Sequence, residues 1–184
     1  FRYCGELTTV DLGTSVQYIG NSAFSDCTKL QAIVIPDSVT YMGYSAFFGC
    51  TSLASVHLGT GLTRIEEWTF SGCEALAGIE IPDTITLIGY GAFADSGLTG
   101  IEIPGSVTKI EGSAFANCPL ETLTIENGVQ TIGYGAFSYT ALSSLTLPDS
   151  VTLIEDNAFL GCENLASVDL PDTDVSLGAH ALDG

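Results

Sequence analysis

Apolar residues recur along this chain with a period of 22 or 23 residues. Each unit opens with Leu, places aliphatic residues at positions 4, 6, 10 and 13, and ends with Ala-Phe and often Cys. One such unit cannot bury its apolar face alone, so the period predicts stacked coils that share a core. The units begin at Leu7, Leu30, Leu53, Leu76, Leu98, Leu120, Leu142 and Leu165, after the end of a partial unit in residues 1–6.

Each unit predicts two short strands and one tight turn. In Leu98–Ile103 the apolar residues alternate with polar ones, so Ile101 and Ile103 point inward and Glu102 points outward. A Pro-Asp pair ends this strand in several units, because Pro fixes φ and lacks an N–H donor. A second extended run, Ser-Val-Thr-x-Ile, follows, and the Ala-Phe-x-x-Cys segment is expected to form a 3₁₀ or single helical turn.

These elements predict a mostly β solenoid that occupies residues 1–184 as one domain. Equivalent strands of successive units pair in parallel at a spacing of about 4.8 Å. Residues 165–184 form a degenerate last repeat, in which Asp174 stands where Val belongs and Leu182 where Phe belongs. Since the chain begins within a repeat, we expect it to come from a longer protein.

The repeat resembles the leucine-rich repeats of the BspA-like, Treponema pallidum-type class. The segment LQAIVIPDSVTYMGYSAFFGC at Leu30 to Cys50 is very close to that family's unit, and eight consecutive copies carry the likeness. The resemblance implies a leucine-rich repeat solenoid from a surface-exposed or secreted protein that serves in adhesion and protein binding. It carries over no catalytic motif.

The charge of the chain is strongly one-sided. Its 22 acidic and 4 basic residues give a net charge of −18. Nucleic acids and anionic membranes are bound by clusters of Lys and Arg, so both are excluded as partners. No apolar run approaches the ~20 residues that span a bilayer. A basic partner or a divalent cation such as calcium remains compatible with this charge, and no other cofactor is indicated.

The cysteines share one position of the repeat. Stacked copies of one position lie within disulfide range, but their side chains point the same way rather than toward each other. A linear row also lacks the tetrahedral convergence of a structural metal site. We therefore predict free, buried thiols that fill the core, at Cys4, Cys27, Cys50, Cys73, Cys118 and Cys162.

The outward positions of the first strands provide one candidate binding surface. His57, Glu80 and Glu102 fall at the same position of consecutive units. Like charges on adjacent strands destabilise a sheet, so Glu80 beside Glu102 predicts a site for a partner's Lys or Arg, or for a cation. The alternative is that both are solvated carboxylates without a function.

A row of aromatic residues provides a second candidate surface. Tyr44, Tyr90 and Tyr134 recur in alternate repeats, each after Gly, and Trp68 projects near them. Tyr and Trp are enriched in protein interfaces and stack on sugars, so this row predicts a protein or glycan site. The alternative is that each Tyr only covers the hydrophobic turn. Glu replaces the preceding Gly in the intervening repeats, at Glu66, Glu111 and Glu155.

Ser and Thr flank the second buried position of many units and predict two outward-facing rows of hydroxyl groups. One such pair is Ser38 and Thr40, and another is Ser150 and Thr152. Regular hydroxyl rows on a flat solenoid can bind ice, but this motif also belongs to the ordinary family unit.

No enzyme class is indicated. The chain has two histidines, His57 and His180, and neither falls in a nucleophile motif. We therefore predict a non-enzymatic binding or adhesion module of a cell-surface or secreted protein, with a protein or glycan partner. The alternative is a structural subunit or spacer docked within a larger assembly.

Overall fold

The chain winds into a mostly β, parallel solenoid with one coil for each repeat. The computed structural model describes residues 1–183 and leaves Gly184, the end of the last repeat, outside the description. Over that range the chain forms short strands and turns but no helix, and no segment qualifies as a membrane-spanning helix. Most coils contribute a first strand, a second strand and a turn that returns to the next coil.

The first strands form three separate parallel pairs rather than one sheet. The pairs are β2 with β4, β7 with β9, and β11 with β13. Residues 77–81 of the fourth repeat form no strand, so the prediction that equivalent strands of all successive units pair is wrong at that point. The first strands are β2 (Ala32–Val34), β4 (Ser55–His57), β7 (Gly100–Ile103), β9 (Thr122–Ile125), β11 (Ser144–Thr146) and β13 (Ser167–Asp169).

The second strands are more continuous but only two residues long. Six of them form one parallel sheet in the order β14-β12-β10-β8-β6-β5, and β1 pairs with β3. The Ser-Val-Thr segment precedes the strand as a turn, yet its central residue is completely buried, as predicted, at Val39, Ile85, Val107 and Val151. The second strands are β1 (Tyr18–Ile19), β3 (Tyr41–Met42), β5 (Arg64–Ile65), β6 (Leu87–Ile88), β8 (Lys109–Ile110), β10 (Thr131–Ile132), β12 (Leu153–Ile154) and β14 (Ser176–Leu177).

The turn that carries Ala-Phe links successive coils by backbone hydrogen bonds. The N–H groups of Ser22, Phe24 and Asp26 donate to carbonyl groups one coil further on, at 2.9, 2.8 and 2.7 Å. The N–H groups between them donate three residues back within the same turn. This alternation replaces the expected 3₁₀ or helical turn. A helical turn would use its N–H groups within one coil and leave the coils unlinked.

Side chains of one kind stack along the solenoid axis in a single continuous core. Successive Phe rings from Phe1 to Phe159 lie nearly parallel, with centroids 5.1–5.6 Å apart. The core cluster extends from Ile19 to Ala181. In the last repeat Asp174 is exposed and the neighbouring Val175 packs against the core, which fits the predicted degeneracy.

The cysteines are free thiols, as predicted, and five of the six are buried. The prediction of burial is wrong for Cys4, which lies in the coil at the end of the stack and is exposed. The buried cysteines also have a role beyond filling space, because each buried thiol lies within hydrogen-bonding distance of the Phe carbonyl of the preceding coil. Cys50 Sγ is 3.1 Å from Phe24 O, for example. Burial raises the pKa of Cys50 to about 12 and that of Cys118 to about 11, because the thiolate would lose its hydration.

The two predicted rows of hydroxyl groups do not both face outward. Ser38 Oγ donates to Val16 O at 2.7 Å and is part-buried, so it bonds to the preceding coil rather than to solvent. Ser150 Oγ likewise donates to Val129 O at 2.8 Å. Only the Thr row is exposed, and its hydroxyl groups also donate to backbone carbonyls, as Thr86 does at 3.0 Å. No flat double row of free hydroxyl groups is present in residues 1–183.

The neighbouring residues Phe47 and Phe48 allow the stability contributions of a core and a surface side chain to be compared. Phe47 is completely buried in the Phe stack, whereas Phe48 is 40% exposed. We predict that Phe47→Ala lowers the free energy of unfolding by about 3–5 kcal/mol, since it leaves a cavity in a stack that cannot collapse. Phe48→Ala should cost under about 1 kcal/mol. Urea unfolding of both variants measures this, and equal losses would contradict the assignment.

The buried thiols predict both reactivity and pH dependence. At pH 8, a thiol reagent should label Cys4 alone in the folded protein and all six cysteines after denaturation. Unfolded thiols ionise near pH 8.5, whereas burial in the folded state raises the pKa of Cys27, Cys50, Cys73 and Cys118. Stability should therefore be complete below about pH 8 and fall as the pH rises toward 11, since only the unfolded state then loses protons. Rapid labelling of buried thiols in the folded state would contradict this.

Candidate functional site

A surface groove lies beside the interruption in the first strands. It has a volume of about 400 Å³ and includes both carboxylates that the sequence analysis singled out, Glu80 and Glu102. Glu102 lies on β7, but Glu80 lies in the segment that forms no strand. The two therefore share a groove rather than adjacent paired strands. We call this surface the acidic groove, formed by Ile79, Glu80, Ile81, Asp83, Glu102, Pro104 and Glu126.

Asp83 and Glu126 belong to the acidic groove but were absent from the sequence-based candidates. Glu126 stands at the repeat position that holds Pro in several other units, and this departure was the signal available in the sequence. Its Oε2 accepts the N–H of Gly105 at 2.8 Å, so the carboxylate is held by the preceding coil. Over residues 1–183, no group of three or more His, Cys, Asp or Glu side chains is arranged to hold a metal ion.

His57 is not part of the acidic groove. It lines a separate groove of about 310 Å³ with Val34 and Asp37. There the N–H and hydroxyl of Thr60 donate to Asp37 Oδ1 at 2.8 and 3.0 Å, which lowers the pKa of that carboxyl group. The structure therefore does not bring His57 together with Glu80 and Glu102.

The aromatic residues lie on a different side of the solenoid, along the turn. The predicted Tyr44, Tyr90 and Tyr134 are 51%, 39% and 52% exposed, and Trp68 is partly exposed. Phe48 is a further exposed aromatic, which sequence analysis missed although Ser or Ala occupies its repeat position in most other units. We call this surface the aromatic edge, formed by Tyr44, Phe48, Trp68, Tyr90 and Tyr134.

Trp68 is placed by an unusual backbone conformation and by a glycine in the next coil. Its φ is 56°, in a left-handed region that a bulky residue rarely adopts. A Cβ on Gly91 would lie 2.5 Å from the Trp68 ring, so the ring occupies the space that this glycine leaves. The ring also packs edge-to-face against Tyr90, with centroids 5.2 Å apart.

Phe48 and Trp68 enclose a shallow groove floored by small residues. Arg2, Ser22, Ser25 and Ser45 line the rest of its volume, which is about 350 Å³. The serines lie on the turns of the first two complete repeats, where the tight coil spacing favours small side chains. On this part of the aromatic edge, large rings therefore project above small neighbouring side chains.

The alternation of Tyr and Glu that the sequence shows has a structural cause. The backbone N–H of Tyr90 donates to Glu111 Oε2 at 3.2 Å, and that of Tyr134 donates to Glu155 Oε2 at 2.9 Å. Each Glu thus satisfies an N–H of the preceding coil. The Tyr rings do not take part in these bonds and remain exposed. The hydrogen bonds of the Tyr backbone therefore do not explain why these positions carry a tyrosine side chain.

The negative charge of the surface is almost uncompensated, because only four basic residues oppose 22 acidic ones. Lys29 contacts Glu6 at 2.7 Å, and Arg64 contacts Glu66 at 3.0 Å. Lys109 lies 3.6 Å from Glu111. The guanidinium of Arg2 lies 4.7 Å from the ring centroid of Tyr3.

The chain is similar to a family of bacterial leucine-rich repeats. The family model described as the BspA type leucine rich repeat region, with six copies, matches residues 1–120 and 88–184. No curated protein sequence matches the chain significantly.

Solved structures show the same fold. A leucine-rich repeat protein from Bacteroides ovatus is 35% identical with a TM-score of 0.83, over 89% of this chain and 43% of that one. The Treponema pallidum leucine-rich repeat protein is 35% identical with a TM-score of 0.65, over 89% and 67%. A leucine-rich cell surface protein from Faecalibacterium prausnitzii is 26% identical with a TM-score of 0.51, over 97% and 67%. The chain thus spans less than half of the Bacteroides ovatus protein.

The packing of Trp68 on Gly91 can be tested against a matched glycine. Gly91 and Gly135 occupy the same repeat position and have the same φ of 59°, but a Cβ at Gly135 would meet nothing closer than 3.5 Å. We predict that Gly91→Ala displaces the Trp68 ring, shifts its fluorescence to the red and costs about 1–3 kcal/mol more stability than Gly135→Ala. Equal stability losses with unchanged fluorescence would contradict this packing.

Proposed function

Because the chain belongs to the BspA-type leucine-rich repeat family, we propose that it is a non-enzymatic binding module of a cell-surface or secreted protein, with a protein as its partner. The family and its solenoid fold are typical of repeat-based binding modules rather than of enzymes. The description of the Faecalibacterium prausnitzii relative as a cell surface protein supports the location. The proposed module needs no cofactor.

The exposed aromatic edge is the observation that carries this proposal. The Phe stack completes the core without these side chains, so burial of the core does not require them. Exposed aromatic side chains on a rigid surface supply large contact area at a low entropic cost, which is why they dominate protein interfaces. A cluster of them on one side of a solenoid therefore favours recognition.

The side chains that could perform chemistry are not arranged for it. His180 Nδ1 lies 2.6 Å from Asp183 Oδ2, both exposed, and in the part of the chain that the structure describes neither His hydrogen-bonds to a Ser or Cys. Burial raises the pKa of Cys27, Cys50, Cys73 and Cys118, so these thiols are poor nucleophiles. These features support the proposal of a binding module over an enzyme.

A triple variant of the aromatic edge tests the proposal. Tyr44→Asn, Phe48→Ser and Tyr90→Asn introduce residue types that the chain itself uses at these repeat positions, so the fold should persist. The intact chain and the variant are applied to arrays of purified extracellular proteins and of glycans. We expect the chain to bind a protein on the array and the variant to bind it at least about tenfold more weakly.

Tyr139→Asn is the matched control. Tyr139 is 60% exposed but lies on another part of the turn, packed on Gly161, and Asn117 is its counterpart one repeat earlier. We expect this variant to keep its affinity within about twofold. Binding to glycans alone would contradict the proposal that the partner is a protein. Undiminished binding by the triple variant would contradict the proposal that the aromatic edge is the binding surface. A permanent stoichiometric complex in the source organism would instead favour a structural subunit.

A further inference from the structure

We propose that Tyr44, Glu67, Trp68 and Tyr90 form a site for an ammonium or guanidinium group, supplied by a Lys or Arg side chain of the partner protein. This inference rests on the proposed function, because it names the chemistry by which the aromatic edge recognises that partner. We call these four residues the cation site. Neither the family nor the sequence pattern assigns a role to Glu67.

The backbone places these residues in register on consecutive coils. The carbonyl groups of Tyr44, Glu67 and Tyr90 each accept an N–H from the preceding coil at 2.8–2.9 Å. They therefore occupy the same repeat position on three successive coils, at a spacing of about 5 Å. Glu67 thus lies between two exposed tyrosines, and all three are exposed to solvent.

Trp68 completes the site next to Glu67. Its ring meets that of Tyr90 at an interplanar angle of 63°, with centroids 5.2 Å apart. Two ring faces at a large angle can contact one cation from two sides, and Trp and Tyr faces attract Lys and Arg through their negative quadrupole. A carboxylate on the residue next to Trp68 can add a charge-assisted hydrogen bond. The Trp68 ring can occupy this position because Gly91 has no side chain.

The charge of Glu67 remains available to a partner. Among the described residues Glu67 forms no ion pair, whereas Glu66 beside it is paired with Arg64. None of the four basic side chains pairs with Glu67, because three of them form ion pairs with other carboxylates and Arg2, which lines the groove beside Trp68, lies over the Tyr3 ring. The net charge of −18 also attracts a cationic segment from a distance. Complementary charge therefore identifies the occupant as basic.

Tyr134 shows what the site requires, because it lies on the same row without the other components. Its neighbours at the same repeat position are Gly112 and Asp156. Asp156 Oδ1 accepts the N–H of Ala179 at 2.7 Å, so this carboxylate is already used. No Trp lies beside Tyr134, since Trp68 is the chain's single tryptophan. Tyr134 therefore lacks both the free carboxylate and the indole ring of the cation site.

Trp68 also provides the readout, because its fluorescence reports on the site alone. The probes are two capped peptides, Gly-Arg-Gly-Arg-Gly and the same peptide with citrulline in place of arginine, which removes the charge and keeps the shape. We expect the arginine peptide to change Trp68 fluorescence saturably at low salt and the citrulline peptide to bind at least about fivefold more weakly. Equal affinity for the two peptides would overturn the proposal.

Variants separate the cation site from the overall charge. Glu67→Gln should weaken binding of the arginine peptide about fivefold or more, whereas Glu163→Gln, which removes an equally exposed carboxylate elsewhere, should change it less than about twofold. Tyr139→Asn, outside the aromatic edge, should leave binding of the arginine peptide unchanged, while Trp68→Ser, measured by calorimetry, should abolish it. Serine occupies this position in three other repeats, so that variant should fold. Equal losses with Glu67→Gln and Glu163→Gln would overturn the proposal.

Failure of the cation site can be distinguished from failure of the proposed function. Glu67→Gln is also tested against the protein partner identified on the array. If it binds as the intact chain does while the triple variant of the aromatic edge does not, the cation site is wrong and the binding function stands. If the triple variant also retains its affinity, the proposed surface fails whatever the peptides show.

Discussion

The structure depends on the hydrogen-bonded stacking of each coil on the next at about 5 Å. At this distance equivalent residues of successive repeats must touch, so each interior position is a row of identical or similar side chains. The Phe stack and the thiols that approach the carbonyls of the preceding coil follow directly from it. The Ala-Phe turn cannot be helical for the same reason, because its N–H groups are needed by the adjacent coil.

The same spacing controls the surface. A large side chain on one coil needs a small residue on the neighbouring coil, and Trp68 lying over Gly91 illustrates this. The rings of the aromatic edge can therefore be large only because glycine and serine lie beside them. Carboxylates such as Glu111 and Glu155 accept backbone N–H groups of the adjacent coil. They differ in this from Glu67, whose carboxylate forms no ion pair within the described residues.

Sequence reasoning succeeded where a residue's role follows from its place in the repeat. The burial of Val39 and its counterparts, the free thiols and the exposed tyrosines are all functions of that position, and each was confirmed. It failed where the answer depends on how a particular coil meets its neighbour. The missing strand at Gly78, the inward bond of Ser38, and the contributions of Phe48, Asp83 and Glu126 all depend on contacts between residues 20 or more apart in sequence.

The sequence by itself therefore determined the period, the solenoid, the composition of the core and the family, because a repeat of this length has one way to bury its apolar face. Only the tertiary structure decided which surface residues act together. It separated His57 from Glu80 and Glu102, and it packed the Trp68 ring over Gly91 and against Tyr90. The physical reason is that the repeat specifies what lies inside each coil, whereas surface chemistry arises between coils, from departures that the repeat does not specify.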